Sequence, residues 1–216
     1  MDVQTPSRSE KTRASLLAAA EQVFSEKGLA GARVDEIAQR AGANKRMIYA
    51  YFGSKEELYK AVLESVYNRL GQCEEIVTLR SGDMDVVEAI RQIIPAYFRF
   101  LSQNDSYVRM VMWENLNMAR YFDEKNLGGI RDPMRRAVRQ LLARGQEQGV
   151  FRRDASEKHL LLTLFGCMFN YFSNMHTMSR VMREDLGSTQ ALEERARAVT
   201  STMLRDLMGD AYEEKA

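Results

Sequence analysis

Between Asn44 and Lys55 the chain reads NKRMIYAYFGSK, a short run rich in groups that hydrogen-bond to bases and phosphates. Placed at about 100° per residue around a helix, Ile48 and Phe52 point one way and Ala50 lies opposite, flanked by Arg46 and Met47. Lys45 and Tyr49 form one wing of that face, and Tyr51 the other. A small residue at the centre allows close approach to a thymine methyl, and a guanidinium beside it can fork onto guanine O6 and N7. Lys45, Tyr49 and Tyr51 then stand near the groove walls, where ammonium and phenol groups donate to phosphate oxygens and fix register without reading sequence. Lys55 falls in the first turn of the next helix, whose free N–H groups and positive dipole end also suit a phosphate. Taken singly, each residue fits a solvated charged face or half-buried packing; together on one side of one short helix they describe a surface for the major groove.

The elements that must hold this face are all helical. Ser7 and Glu10 form a capping box, after which Leu16, Ala20, Val23 and Phe24 recur at one-face spacing until Gly28 stops the first helix. Val34, Ile37, Ala38 and Ala41 predict a short second helix ending at Gly42, and Asn44 caps a third that reaches Phe52. Two short helices joined by a three- to four-residue turn containing Gly have the spacing of a helix-turn-helix. Gly53 breaks the third helix, and Ser54 with Glu57 opens a fourth through Leu58, Val62 and Val66 towards Gly71. Arg8, Lys11 and Arg13, around the start of the first helix, fit equally a basic arm for an adjacent minor groove and a frayed, solvated terminus.

Beyond Gly71 the predicted helices are longer and richer in aromatics and Met: 84–103, 107–118, 133–148, 156–182 and 189–208, separated by breakers that include Gly128-Gly129, Gly149 and Gly187-Ser188. The 156–182 helix, opened by Asp154 and Glu157, is apolar nearly all round and must be covered all round. Thr163, Gly166, Asn170 and Ser173 give it a strip where another helix can cross closely, and Leu192, Val199, Met203 and Leu207 give the last helix an apolar stripe suited to the same interface. Met110, Trp113, Glu114 and Asn117 share one helix face, an apolar wall with two polar handles; Tyr97, Phe100, Phe169 and Tyr171 are candidate opposite walls for a small molecule, although each aromatic taken singly fits plain core packing better. A buried Glu114 would need a partner such as a cationic ligand or an Arg.

Composition bounds these readings. The 216 residues carry 31 Lys and Arg against 30 Asp and Glu, a net charge of +1, so nucleic-acid binding rests on local placement and strong sequence-indifferent DNA packaging is disfavoured. With 45% apolar residues, only 3 Pro and 13 Met, the expected fold is all-α. Residues 1–10 lack an apolar stretch behind a basic start, and the longest apolar run, about Leu160 to Phe169, is half of the ~20 residues a span needs, which predicts a cytoplasmic protein with no membrane partner. Cys73 and Cys167 make no CxxC pair, and either could act in redox sensing only if exposed with a lowered pKa. His159, Cys167 and His176 spread around their helix, and no HExxH, P-loop, GxSxG or dinucleotide fingerprint occurs; no metal, cofactor or catalytic activity is expected.

The segment GLAGARVDEIAQRAGANKRMIYAYFGSKEELY, with the preceding LLAAAEQVFSEKG, resembles the DNA-binding domain of the TetR family of transcriptional regulators. The likeness lies in an AAxxxFxxxG first helix, VxxIAxxAG, a Y-x-Y-F end of helix three and SKEEL. It implies that Lys45, Arg46, Met47, Tyr49, Ala50, Tyr51 and Lys55 occupy DNA-facing positions. Two departures stand out. Arg33 replaces the usual Thr cap of helix two and can reach a phosphate itself, and Arg46-Met47 replace the usual Gly-Thr pair, so no relative's operator carries over. The resemblance further implies a homodimer through the last two helices, a near-palindromic double-stranded operator and a small-molecule effector held in the second domain. The expected organisation is a DNA-binding domain over residues 1–55 and a ligand-binding and dimerisation domain over 56–216. The rival expectation is a small-molecule-binding protein that keeps the helix-turn-helix shape without specific DNA binding.

Overall fold

The computed structural model describes residues 7–72, 84–122, 124–209 and 212, with the side chains of 71 and 124–135 left aside. Among the described residues there are helices and no strand. The helices are α1 (Arg8–Gly31), α2 (Val34–Arg40), α3 (Lys45–Phe52), α4 (Lys55–Gly71), α5 (Val86–Gln103), α6 (Asp105–Leu116), α7 (Glu124–Glu147), α8 (Glu157–Met182) and α9 (Thr189–Met208). They form two compact units, Met1–Asn68 with Arg109–Leu127, and Arg69–Val108 with Gly128–Ala216, so the boundary falls inside α4, α6 and α7. None of the described helices is long and apolar enough to cross a membrane.

In the first unit, the Ser7 hydroxyl accepts from the Glu10 amide at 3.2 Å while Glu10 Oε2 accepts from the Ser7 amide at 2.7 Å, the reciprocal cap foreseen from the sequence. Those bonds hold the Glu10 carboxyl below its usual range. Leu16, Ala20, Val23 and Phe24 of α1 are buried, as are Ile37 and Ala38 of α2, Ile48 of α3, and Leu58, Tyr59 and Val62 of α4, with the Phe24 and Tyr59 rings edge-on at 5.1 Å. Gly28 interrupts α1 with φ +65° and ψ 177°, and one more turn follows to Gly31. The turn after α2 closes through Gly42 N–H to Gln39 O at 3.1 Å and Ala43 N–H to Ala38 O at 3.0 Å, with Gly42 at φ +61°, where a side chain is disfavoured.

In the second unit, Asp85 caps α5, accepting from Val87 and Glu88 amides at 2.9 and 3.1 Å. The core is built from Ile90, Ile94, Phe98 and Leu101 of α5, Leu160, Leu164, Met168 and Phe172 of α8, and Val199, Met203, Leu204 and Leu207 of α9. Phe98 meets the rings of Tyr171 and Phe172 at 5.8 and 5.6 Å. The connection from α7 to α8 is tied to the end of α9, since the Arg152 amide donates to Leu207 O at 2.7 Å and its guanidinium reaches Asp206 at 3.0 Å. Phe151 lies so close over Gly145 that no Cβ fits there.

Three expectations are corrected. Gly128-Gly129 do not break the chain and Pro133 does not start a helix: α7 begins at Glu124 and runs through all three. Asp154 and Glu157 make no capping box, because Ser156 is the N-cap without a side-chain bond, Asp154 pairs with Arg152 and Glu157 accepts from Arg139 at 2.8 Å. The Val199, Met203 and Leu207 stripe of α9 is buried in its own unit rather than offered outward. Cys73 lies outside the described residues.

Candidate nucleic-acid interface and sensor core

The α3 face is positioned from both ends. Asn44 accepts from the Arg46 amide at 2.9 Å and so starts the helix; the Gly53 amide closes it on Tyr49 O at 2.9 Å with φ +82°. Ile48 is fully buried and anchors the opposite side, while Lys45, Arg46, Tyr49 and Ala50 are exposed and Met47 and Tyr51 half-buried. Tyr49 is 51% exposed, so its phenol is open to solvent on this face. Lys45 Nζ lies 3.0 Å from Asp35, at the start of α2. Arg46 has no carboxylate partner among the described residues, unlike Lys27 and Arg40, which are held by Glu26 and Glu36 at 2.7 Å. Those bonds lower the Glu26 and Glu36 carboxyls and raise the Arg40 guanidinium, but all four groups are solvent-screened.

Arg33 is the N-cap of α2 and makes no side-chain cap bond, so its exposed guanidinium is available to a ligand. Lys55 is the first residue of α4, beside Ser54, whose hydroxyl accepts from the Glu57 amide at 3.1 Å. Two residues of α1, Ser9 and Arg13 of the basic arm, brace α3. Ser9 Oγ lies 3.0 Å from the Tyr51 hydroxyl, and the Arg13 guanidinium sits 5.1 Å from the centre of the Phe52 ring. Ser9 carried no signal in the sequence, being one hydroxyl in a polar terminus 42 residues from its partner.

The eight residues proposed to line a ligand site divide between the two units. Tyr97 and Phe100, buried on α5, and Phe169 and Tyr171, half-buried on α8, belong to the second. There a narrow apolar cleft between α5, α7 and α8, with a cavity volume of about 50 Å³, is lined by Ile90, Tyr97, Leu141, Leu164, Phe165 and Met168, among others. Tyr97 is the one member of the eight that lines it, with the Phe165 ring edge-on at 6.2 Å. Tyr107, also buried on α6, has its phenol pushed up to about 12 by burial. Tyr171 donates to Leu186 O at 2.8 Å, which fixes the turn between α8 and α9.

Met110, Trp113, Glu114 and Asn117 belong to the first unit. Trp113 Nε1 donates to Ser25 O at 3.1 Å, and the indole rests on Gly28, where a Cβ would stand 2.8 Å from the ring. Glu114 is 2% exposed, and its partners come from the chain: Oε2 accepts from the Tyr59 hydroxyl at 3.2 Å and Oε1 from the Tyr121 amide at 2.7 Å. Burial, then the Glu114 charge, raise the Tyr59 phenol well above its ordinary range.

A further surface lies on α8 and α9. Leu162, Phe165, Met178 and Met182 are exposed, and a groove between the two helices is lined by the small residues Gly166, Cys167, Ala191 and Ala198 together with larger ones such as Tyr171 and Arg195. Nothing lies within 4 Å of a Cβ built on Gly166. Among the described residues no cluster of His, Cys, Asp and Glu could hold a metal.

Residues 16–62 match the family described as bacterial regulatory proteins of the tetR family, and residues 87–203 match the tetracyclin repressor-like C-terminal domain. The HTH-type transcriptional repressor NicS of Pseudomonas putida is 31% identical over 201 residues, which cover 93% of this chain and 94% of that protein. An HTH-type transcriptional repressor of Streptomyces coelicolor is 31% identical over 175 residues, 80% of this chain and 84% of the relative. Among solved structures, the regulator FadR of Bacillus subtilis in complex with stearoyl-CoA superimposes with a TM-score of 0.67 at 16% identity, covering 90% of this chain and 99% of that one.

Proposed function

This chain belongs to the TetR family of bacterial transcriptional regulators, and from that premise we propose that it acts as a homodimeric repressor that leaves a near-palindromic operator when a small molecule binds. The observation that carries the reading is the α3 face: an exposed Arg46 with no carboxylate partner among the described residues, beside an exposed Ala50, on a helix anchored by Ile48. Arg46 reads a guanine; Lys45, Tyr49, Tyr51, Arg33 and Lys55 contact the backbone, Asn44 sets the start of the helix and Met47 packs beside the groove. Residues 1–55 carry DNA reading, and residues 56–216 carry effector binding and dimerisation, with no catalytic step. The cleft beside Tyr97 is the favoured effector site, and its lining suits an apolar compound. The names of NicS and of the S. coelicolor repressor support repression, and the bound stearoyl-CoA of B. subtilis FadR supports a ligand held within the same fold.

Dimerisation uses the exposed face of α8 and the small-residue groove it forms with α9, into which a partner's helix can pack closely. Two copies then present two α3 helices to successive major grooves, in the cytoplasm where the operator resides. The effector acts through differential affinity: binding the DNA-incompetent form better by ~1–3 kcal/mol weakens the operator roughly five- to 150-fold. The test is anisotropy binding to the intergenic DNA beside its own gene, with random DNA as competitor, repeated across a compound panel. Selective binding abolished by one compound is the expected result; binding no tighter than to random DNA overturns the reading.

A further inference from the structure

Glu114 is the only charged side chain buried among the described residues. A carboxylate out of water is costly unless its oxygens are hydrogen-bonded, and here each oxygen has one donor. The donors come from different places, Tyr59 on α4 and the Tyr121 amide in the turn after α6. That turn is unusual in itself. Met118 and Ala119 stand consecutively at φ +55° and +56°, a left-handed conformation that residues with a Cβ rarely adopt. Glu114 holds it twice over, because its main-chain carbonyl accepts from the Ala119 amide at 2.9 Å while its side chain accepts from Tyr121.

The same turn is seated on α4 by rings. Tyr121 meets Tyr59 edge-on at 5.4 Å and Phe122 meets Tyr67 at 4.9 Å, while Asn117 adds a second hydrogen bond to the Tyr59 hydroxyl. Trp113 ties the same segment to α1 through Ser25 O. Only two residues separate α3 from α4, so whatever fixes α4 also fixes the helix that reads DNA.

From this arrangement we infer that Glu114 is a positioning residue for operator binding: it clamps α4 through Tyr59 while pinning a left-handed turn. Trp113, Glu114 and Asn117 serve this latch, not a ligand wall. The inference rests on the repressor reading above, since it concerns binding to two half-sites at once. Such binding requires both α3 helices held at one spacing, whereas a single half-site makes no such demand.

The test compares a duplex carrying both half-sites of the intergenic operator with the same duplex cut to one half-site. Tyr59→Phe keeps the ring between Phe24 and Tyr121 and removes only the hydroxyl. It is expected to weaken the two-half-site duplex about tenfold or more, within the range of ordinary coupling energies. Binding to one half-site is expected to stay within about twofold, as for an independent site. Glu114→Gln, which keeps an acceptor for Tyr121, is expected to bind better than Glu114→Ala; should Glu114→Ala fail to fold, Tyr59→Phe decides alone. Equal losses on both duplexes would reduce the residues to holding the unit's fold, and no loss on either would remove the latch; each outcome overturns the inference. Failure of the repressor reading is separate, because it shows as unselective binding by the unaltered protein.

Discussion

At the scale of single residues, Arg46 and Lys55 divide the work of affinity and specificity. Arg46→Ala is expected to cost the operator ~1–3 kcal/mol and leave random DNA unchanged, because one bidentate base contact is lost. Lys55→Ala should instead weaken both DNAs alike and reduce the slope of log K against log salt by about 1. Titrating both variants against both duplexes at several salt concentrations checks the pair, and parallel behaviour of the two would dissolve the distinction. Arg46 was legible in the sequence because its surroundings are local: Ile48 and Phe52 define the buried side within one and a half turns. Glu114 was legible as a residue in need of a partner but not as a latch, because Tyr59 lies 55 residues away and nothing in a single sequence pairs them. The division of the eight ligand candidates between two units has the same cause. Helical periodicity assigns a face to each helix but not the neighbour that the face meets.

At the scale of elements, helix starts with capping side chains were the most readable feature. Ser7, Asn44 and Ser54 all cap as their types suggest. The first turn of α8 was misread because Glu157, which completes an S/T/D-x-x-E pattern with Asp154, is engaged by Arg139 across 18 residues. α7 shows propensity overridden, with three Gly and a Pro inside one continuous helix. α9 shows a different limit: its apolar stripe was found, but a stripe facing its own core and one facing a partner look the same in sequence. The structure separates them, and the separation predicts opposite outcomes. Met203→Ala, at a fully buried position, is expected to cost about 2–5 kcal/mol and lower the melting temperature. Gly166→Arg, in open space on α8, should leave each protomer folded while shifting the dimer to monomer in sedimentation. A folded dimer from Gly166→Arg would move the interface elsewhere.

At the scale of the whole molecule, near-neutral charge with a locally basic reading face is consistent with selective rather than indiscriminate DNA binding. The all-α class followed from composition, whereas the return of residues 109–127 into the first unit did not, since a chain that leaves and comes back has no marker in sequence. Alkaline stability is also a property of the whole. Tyr107 is pushed up to about 12 by burial, so the folded chain keeps a proton that the unfolded chain releases above pH ~10. Its contribution is fully present below pH ~10 and is lost as pH rises through about 12, on the order of 2–3 kcal/mol. Tyr59 acts in the same direction from the other unit. Urea unfolding across this range should show stability flat to pH ~10 and falling beyond it, with a shallower fall in Tyr107→Phe. A rise in stability above pH ~10 would contradict the burial of both phenols.

The chain contains one tryptophan, and it is Trp113, whose indole rests on the interruption of α1. Its emission therefore comes from a single place inside the first unit, where Trp113 of α6 meets α1. Loosening of that junction, whether by denaturant, operator or effector, changes the surroundings of this one chromophore while the rest of the protein contributes no indole signal. The protein thus carries its own optical probe, and the joint between its reading helices and α6 can be followed without attaching a dye.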